Sequence, residues 1–410
     1  FGVIDDQHRL AALSGRCRAH HSRPAGAEDD GIECFRALRH RCALDREAAD
    51  RQTGKFPCKR LQAPAQGSTR QPRKRHKMKA YRIHRYGGPE CASLDEAPEP
   101  ELRAYDLLVR IAGVSLNPVD YKTRQGALRV LYRPKLPATL GNDLAGEVIA
   151  VGSAVAGFKV GDRVIACSRI NDMGSFAEVA RIDARCASLA PSSIDLATAS
   201  ALPLAGQTAQ QALRDLLQIR PGMHVLITAG AGGVGCLAIQ LAKSMGAEVS
   251  TTASPRGDAL VRAMGADHVI DYTTTDLASL GRTFDAVFDL AGGDALDACF
   301  KVARPGSTVI SIAGLPTPSA ASKALGMGMG IKALFWLASL GLRRMAAANG
   351  VSYHYYFLHP NSSDLSALAA MVDAGTLKII ADRHFPFEQI ADAMAYLEAG
   401  HAKGKVVVTL

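Results

Sequence analysis

The segment His224-Val-Leu-Ile-Thr-Ala-Gly230-Ala-Gly-Gly-Val-Gly235 decides the fold, because an apolar, strand-like run passes directly into a glycine-rich turn. The stretch from Cys236 to Met245 predicts a helix after that turn. Glycine is required where the backbone bends sharply, approaches a pyrophosphate and lets a helix pack against a strand. We therefore predict a phosphate-binding turn that contains Ala229, Gly230, Gly232, Gly233, Val234 and Gly235.

Strand-like and helix-like segments alternate around this turn. The strand-like runs lie at 224–229, 248–252, 268–271, 285–290 and 308–313, and helix-like stretches lie near 233–246, 257–265 and 294–304. Apolar strands that alternate with helices predict βαβ units and a parallel sheet covered on both faces. In that context a dinucleotide site is a better interpretation of the glycines than a plain structural turn.

The segments on either side of this region follow a different pattern. Residues 139–161 are apolar with closely spaced glycines, which favours short antiparallel strands in a small barrel-like unit. Residues 361–410 contain two helical runs and a closing strand at 405–410. We therefore expect an α/β protein in which a doubly wound Rossmann domain lies beside a β-rich domain.

The end of the second strand in the α/β series determines which dinucleotide is expected. An NAD site places Asp or Glu there to hold the ribose 2′-hydroxyl. This chain has Ser254-Pro255-Arg256 instead, without an acid. A guanidinium group suits a 2′-phosphate, and such a charge-assisted contact is worth about 1.5–3 kcal/mol. We predict NADPH, bound in part by Ser254 and Arg256; the alternative is that Arg256 merely faces solvent at the start of a helix.

The net charge of +9 is concentrated in residues 1–77, which hold 17 Lys and Arg against 9 Asp and Glu. The rest of the chain holds 31 against 30, so a nucleic-acid partner is not expected. Residues 1–77 lack sustained apolar periodicity, and Met78 opens the first strand-like stretch. We expect 1–77 to be a disordered or artefactual extension; the alternatives are a transit peptide and a basic RNA-binding arm.

The cysteines and one long apolar run bear on the cellular environment. Nine cysteines without any CxxC spacing argue against a disulfide framework or a thiolate metal site, so we expect a reducing compartment and a cytoplasmic protein. The run at 324–342 is strongly apolar but contains Lys332 and several glycines. We expect a helix packed on the protein, or at most one lying on a membrane surface, and no integral membrane span.

A series of motifs follows in order along the chain. They are Ser115–Asp120, Gly141–Gly146, Gly161–Val164, Leu202–Ala209, the glycine turn with Gln240 and Lys243, Gly265–Tyr272 and Gly404–Val408. In this order they resemble the medium-chain dehydrogenase/reductase superfamily, and within it the zinc-free quinone oxidoreductase branch. The resemblance implies a GroES-like catalytic domain split between 78–202 and 359–410, a Rossmann domain inserted at 203–358, NADPH in the cleft, and usually a homodimer.

The resemblance also extends the cofactor site and bears on the metal. Tyr272 is similar to the family's aromatic contact near the 2′-phosphate. Zinc-dependent relatives have Cys where Asn117 stands and a His-Glu pair where Asn142-Asp143 stands. Because amides are poor substitutes for the ligands of catalytic zinc, we expect no metal and an acceptor already activated by conjugation. The remaining cofactor residues that we assign are Ala313, Gly314 and Lys405.

Five polar residues are catalytic candidates, and the resemblance places all of them except Asp120 near the nicotinamide end of the cleft: Asn117, Asp120, Lys122, Asn142 and Thr208. All except Asp120 are candidate donors to a developing oxyanion, and one well-aimed donor is worth about 2.7–4 kcal/mol in rate. Four of them have a simpler alternative. Asn117 forms only a turn, Asp120 only orients the loop, Lys122 only faces solvent, and Thr208 only caps a helix.

These expectations combine into a zinc-independent enzyme that transfers a hydride from NADPH to a quinone or an α,β-unsaturated carbonyl compound. One alternative is an enoyl-thioester reductase of lipid metabolism. The Tyr that such relatives carry after the glycine matching Gly126 is replaced here by Ala127, which weakens that alternative. The other alternative is a NADPH-binding structural or sensor protein with little turnover.

Overall fold

The computed structural model of the chain describes residues 76–320 and 329–410. The prediction for the extension at 1–77 lies outside the described residues, apart from its last two positions. The first strand, β1 (Lys77–Ile83), begins where the apolar pattern begins.

The further strands are β2 (Ala92–Pro98), β3 (Asp106–Leu116), β4 (Ala138–Thr139), β5 (Asp143–Val151), β6 (Arg163–Cys167), β7 (Val179–Asp183), β8 (Ala187–Leu189), β9 (His224–Ile227), β10 (Glu248–Ala253), β11 (His268–Asp271), β12 (Phe284–Asp289), β13 (Ala303–Ser311), β14 (Ser352–Tyr355), β15 (Ala381–Pro386) and β16 (Lys405–Thr409). The α-helices are α1 (Pro118–Gln125), α2 (Leu196–Ala199), α3 (Pro203–Gln211), α4 (Gly233–Ser244), α5 (Pro255–Ala263), α6 (Gly293–Val302), α7 (Met329–Ala338), α8 (Leu340–Ala348), α9 (Ser362–Asp373) and α10 (Ile390–Glu398).

Six strands form a parallel sheet in the order β11-β10-β9-β12-β13-β14, with α4, α5 and α6 in the connections. This is the strand order of a doubly wound dinucleotide-binding sheet. The order reverses between β9 and β12, which are the first and fourth strands of this sheet along the chain. The predicted α/β class is confirmed, and five of the six strands lie where the apolar runs predicted them. The sixth, β14, escaped prediction because Ser-Tyr-His-Tyr is not an apolar run. We call β9 to β14 with their helices the Rossmann lobe.

A seven-stranded sheet is built from two distant parts of the sequence. Its main order is β15-β16-β3-β5-β6-β8, and β7 pairs with β3. The closing strand β16 pairs antiparallel with β3, so the end of the chain completes a sheet that the first part begins. We call this sheet, with β1, β2, β4 and helices α1 and α10, the β-rich lobe. The domain boundaries at 202/203 and 358/359 stay a prediction.

The two lobes are joined by backbone and by core packing. Gly404 pairs with Gly232 in an isolated bridge, and the Gly404 amide donates to the Ala231 carbonyl at 2.8 Å. Ala145 and Ile165 of the β-rich sheet belong to the same apolar core as the Rossmann helices α3 and α4. The glycine turn is therefore fixed against the strand that closes the other lobe.

The apolar run at 324–342 contributes helix α7 and the start of α8, while residues 324–328 lie outside the described residues. Phe335 is buried against the protein, whereas Met329, Trp336 and Leu337 are exposed. Among the described residues, no helix combines the length and the apolar character needed to cross a membrane.

Candidate active site at the junction of the two lobes

The predicted cofactor residues lie at one edge of the parallel sheet. Residues 229–232 follow β9, Ser254 follows β10, Tyr272 follows β11, and Ala313 with Gly314 follows β13. Since the carboxyl ends of parallel strands share an edge, the fold brings these segments together. That edge, where the strand order reverses, is where such sheets bind their ligands.

Steric contacts explain why the turn after β9 needs glycine. A Cβ atom at Gly230 would overlap the hydroxyl of Thr251, and one at Gly235 would lie 2.5 Å from the Ala229 carbonyl oxygen. Ala229 itself has a φ of 50°, in the left-handed region that favours glycine. The amides of Ala229, Gly230 and Gly232 are bonded within the protein, whereas the first amides of α4 have no partner within the helix, which suits a pyrophosphate group.

A buried carboxylate ties the strand ends together beneath this turn. Asp289 ends β12 and accepts hydrogen bonds from the hydroxyls of Thr228, at 2.9 Å, and Ser311, at 2.6 Å. The Ser311 hydroxyl in turn accepts from the amides of Ala313, at 3.1 Å, and Gly314, at 2.8 Å. Asp289 therefore fixes the positions of β9, β12 and β13 relative to one another at the cofactor edge.

The predicted 2′-phosphate residues lie beside α5. Arg256 is exposed near the start of that helix, and Tyr272 is 61% exposed. Ser254 is the N-cap residue but makes no capping hydrogen bond through its side chain, so its hydroxyl is available to a ligand. The ammonium group of Lys403 donates to the Arg256 carbonyl, which places a second cation at this turn. Sequence reasoning missed Lys403, because it is remote from Arg256 in the chain.

A second buried carboxylate organises the β-rich lobe. Asp143 accepts hydrogen bonds from the Ser115 hydroxyl, the Asn117 side-chain amide and the Leu204 backbone amide, each at 2.8 Å. Burial raises the pKa of Asp143, although Lys405, Asn117 and Ser115 act in the opposite direction. Asp143 therefore joins β3, β5, α1 and α3 at one buried point.

Lys405 links that network to the cofactor turn. Its ammonium group donates to the Leu116 carbonyl at 3.0 Å and to Asn117 Oδ1, and it lies 3.5 Å from Asp143. A Cβ atom at Gly233 would lie 2.5 Å from the aliphatic stem of Lys405. The structure thus brings the stem of Lys405 beside the glycines, while its charge serves the β-rich lobe, and its predicted contact with the cofactor stays a prediction.

The side chain of Asn117 is fully occupied by protein partners. Its Nδ2 donates to Asp143 and, at 3.3 Å, to the Ser115 carbonyl, and its Oδ1 accepts from Lys405. Its backbone amide donates to Asp120 at 2.8 Å. The structure therefore contradicts the role of Asn117 as an available oxyanion donor. Asn117 is the N-cap of α1 and positions the start of that helix.

Asp120 is completely buried, and only one of its oxygens has a hydrogen-bond partner among the described residues. Burial and the nearby Asp143 raise the pKa of Asp120 to about 8, against the opposing effects of the Asn117 amide and Lys405. The contact with Asn117 supports the interpretation that Asp120 orients the start of α1.

Asn142 and Thr208 are also engaged as donors. Asn142 Nδ2 donates to the carbonyl and the hydroxyl of Ser168, both at 3.2 Å, while its buried Oδ1 has no partner among the described residues. Thr208 donates to the Leu204 carbonyl at 2.7 Å from inside α3, a helix that begins at Pro203. The helix-cap interpretation of Thr208 is therefore wrong, and the Oδ1 of Asn142 offers an acceptor to a ligand rather than a donor.

Lys122 is the candidate donor that the structure leaves available. Its side chain on α1 is half-buried and makes no hydrogen bond or ion pair with any described residue. Burial lowers the pKa of Lys122, because removal from water disfavours the charged form. An ammonium group held in this way is suited to stabilise a negative oxygen.

Sequence reasoning missed the central role of Asp143. It treated this position only as a replacement for the glutamate of zinc-dependent relatives. The available signal was an acid that opens an apolar strand between Gly141 and Gly146, since a buried charge requires a partner. The partner itself, Lys405, lies 262 residues further along the chain.

Asp120→Asn should flatten the dependence of stability on pH. The Asp120 carboxyl has a pKa of about 8 in the folded protein, against an ordinary value of about 4 when unfolded. Between these values the folded state holds an additional proton, so the stability of the wild type falls as the pH rises. Thermal unfolding between about pH 5 and about pH 8 measures this, with the exposed Asp258→Asn as control. Parallel profiles for wild type and D120N would contradict the assignment.

Comparison with known proteins identifies the family. The family model described as alcohol dehydrogenase GroES-like domain matches residues 103–192 of this chain. The family model described as zinc-binding dehydrogenase matches residues 264–408. The NADPH-dependent alkenal/one oxidoreductase, chloroplastic, of Arabidopsis thaliana is 35% identical over 342 residues, covering 81% of this chain and 79% of that protein. The chloroplast envelope quinone oxidoreductase homolog of the same plant is 32% identical, covering 81% of this chain and 98% of that protein.

Solved structures agree. The quinone oxidoreductase from Coxiella burnetii has a TM-score of 0.71 and 31% identity, covering 82% of this chain and all of that one. The Escherichia coli quinone oxidoreductase complexed with NADPH has a TM-score of 0.68 and 25% identity, covering 81% of this chain and all of that one. The chain therefore belongs to the medium-chain dehydrogenase/reductase superfamily and is an oxidoreductase of its quinone oxidoreductase-like branch.

Proposed function

We propose that this enzyme transfers a hydride from NADPH to a quinone or an α,β-unsaturated carbonyl compound without a catalytic zinc ion. The observation that carries the proposal is the junction at which Gly404 and Lys405 fix the glycine turn against the polar network of the β-rich lobe. One similar protein is named as an alkenal/one oxidoreductase and another as a quinone oxidoreductase homolog, which supports the same classes of acceptor here.

The cofactor is held by groups that suit NADPH. The start of α4 offers backbone amides to the pyrophosphate, and Ser254, Arg256 and Lys403 offer a hydroxyl and two cations to the 2′-phosphate. When bound, NADPH supplies the hydride, and the protein supplies binding and orientation. The absence of an acid at the end of β10 removes the group that would favour the 2′-hydroxyl of NADH.

Arg256→Ala should weaken NADPH binding by about tenfold to a hundredfold and leave NADH binding unchanged, because a charge-assisted hydrogen bond contributes about 1.5–3 kcal/mol. Fluorescence titration with each nucleotide measures the two affinities. Arg262→Ala is the matched control, because Arg262 lies on the same helix but pairs with Asp258. Equal NADPH affinities in R256A and R262A would remove Arg256 from the phosphate site.

The donor set of the β-rich lobe supports chemistry without zinc. Asn117 and Asn142 present amides already bonded to protein groups, and Asp143 is committed to Ser115, Asn117 and Leu204. Across residues 76–320 and 329–410, only one group of His, Cys, Asp and Glu side chains is arranged to hold a metal jointly, and it includes none of these residues. Catalytic zinc requires three such protein ligands.

A conjugated acceptor suits this site. Hydride addition to the β-carbon of an enone moves the electron pair to the carbonyl oxygen, which then takes a proton from solvent. The protein can assist by placing a positive charge beside that oxygen, and Lys122 is the donor that the structure leaves available. Asn117 and Asp120 act as positioning residues, because they hold the first turn of the helix that carries Lys122.

The decisive experiment is NADPH consumption with 1,2-naphthoquinone, 2-hexenal and crotonyl-CoA in parallel. We expect turnover of the quinone or the alkenal and little turnover of the thioester. Lys122→Gln should slow single-turnover hydride transfer by at least about tenfold, whereas Lys301→Gln, an exposed control on α6, should not. Preference for crotonyl-CoA would favour the enoyl-thioester alternative, and NADPH binding without turnover would favour a sensor. A rate within about twofold of wild type in K122Q would exclude Lys122 as a donor.

We further propose a homodimer. Within the described residues no strand pairs with the outer edge of β14, and α7 exposes Met329, Trp336 and Leu337. The open edge of β14 and the exposed apolar side chains of α7 are surfaces that a second copy can cover. Sedimentation velocity at micromolar concentration should give a dimer; a monomer under these conditions contradicts the proposal.

We propose a cytoplasmic location on the basis of cysteine chemistry. The described cysteines, Cys91, Cys167, Cys186, Cys236 and Cys299, are all free thiols, which fits a reducing compartment. Because relatives include chloroplastic proteins, fractionation of cells that express the full chain is the appropriate check. Recovery in an organelle would contradict the proposal.

A further inference from the structure

Three side chains with metal-binding groups lie together at the amino edge of the parallel sheet, opposite the cofactor edge. His224, Glu248 and His268 are the first residues of the adjacent strands β9, β10 and β11. Glu248 is in register with His224, and Ser250 is in register with His268. Since residues two apart on a strand share a face, all of these side chains project from one face of the sheet.

The distances bring the three groups within reach of one ion. The candidate ligand atoms of His224, Glu248 and His268 all lie within 4.8 Å of one another. His268 Nε2 lies 2.7 Å from Glu248 Oε1, and the two imidazole rings have centroids 5.9 Å apart. Small side-chain rotations would bring these atoms to the separations of a tetrahedral site, in which metal–nitrogen bonds are about 2.0–2.1 Å.

The surroundings orient one imidazole and leave the others accessible. His224 is half-buried, packs edge-on against Phe284 and has its Nε2 atom 2.8 Å from the Ser250 hydroxyl. A hydrogen bond at one ring nitrogen commonly orients a metal-binding histidine and leaves its other nitrogen for the ion. Glu248 and His268 are exposed, so an ion can enter from solvent without any rearrangement of the fold.

We propose that His224, Glu248 and His268 bind one divalent transition metal ion of the zinc and nickel class, with water as a fourth ligand. Ions of the zinc and nickel class bind well to two imidazoles and one carboxylate, whereas magnesium and calcium ions select oxygen ligands. The site is separate from the reaction. Gly230 lies six residues after His224, which corresponds to roughly 20 Å of extended chain at about 3.3 Å per residue. The ion joins three adjacent strands and stabilises the Rossmann lobe.

The test uses the full chain after chelator treatment, with zinc sulfate as the probe. Equilibrium dialysis measures zinc bound by wild type, His268→Gln, Glu248→Gln and the control His401→Gln, which alters an exposed histidine outside the cluster. We expect wild type and H401Q to bind one more zinc ion per chain than H268Q, and E248Q to bind that ion at least about tenfold more weakly. Zinc should raise the unfolding temperature of wild type by a few degrees and leave H268Q unchanged.

Equal zinc stoichiometry in wild type, H268Q and E248Q would overturn the proposal, and so would equal losses in H268Q and H401Q. NADPH-dependent turnover by H268Q should remain within about twofold of wild type, because the cluster is remote from the cofactor edge. Failure of this site therefore leaves the proposed reaction intact. Conversely, H268Q could retain a zinc ion whose removal stops turnover. That result would refute the zinc-free reaction and leave the metal site proposed here untouched.

Discussion

The buried ion pair between Lys405 and Asp143 is the constraint on which the candidate site depends. The two groups lie 3.5 Å apart and are almost completely removed from solvent, and each is satisfied further by Asn117. Removal of one partner from such a pair typically costs about 3–5 kcal/mol, because the other charge is left buried and uncompensated. Since Lys405 follows Gly404, whose amide bonds to the glycine turn, the same contact that stabilises the β-rich lobe also places the cofactor turn beside it.

Each lobe uses one buried carboxylate to gather polar groups from separate elements. Asp289 joins β9, β12 and β13 at the cofactor edge, and Asp143 joins β3, β5 and α1 of the β-rich lobe to helix α3. Most of the polar side chains around these carboxylates already donate hydrogen bonds to them or to other protein groups, so few side chains remain to bind a substrate. Among the described residues of the site, Lys122, the Oδ1 of Asn142 and the Oδ1 of Asp120 are exceptions. A site of this kind acts mainly by rigid positioning, with little acid–base chemistry of its own.

The parallel sheet separates two kinds of ligand chemistry by strand direction. At the carboxyl ends, the glycine turn and the start of α4 present amides and favour anions. At the amino ends, His224, Glu248 and His268 present lone pairs and favour a cation. Both sets project from β9, β10 and β11, so occupation of either edge stabilises the same three strands. The reaction itself involves only the first edge.

Local sequence determined much of this protein: the alternation of strands and helices, the glycine turn, the replacement of an acid by Arg256, and the amides at Asn117 and Asn142. These features depend on periodicity and on residue chemistry within a few positions, which the linear chain displays directly. The tertiary structure alone decided which polar groups are occupied. Asn117 lost its expected donor role because its Nδ2 donates to Asp143 and to the Ser115 carbonyl, and Lys405, 288 residues away, folds back to donate to its Oδ1. Contacts at such separation leave no local pattern, since they arise only when β16 pairs with β3.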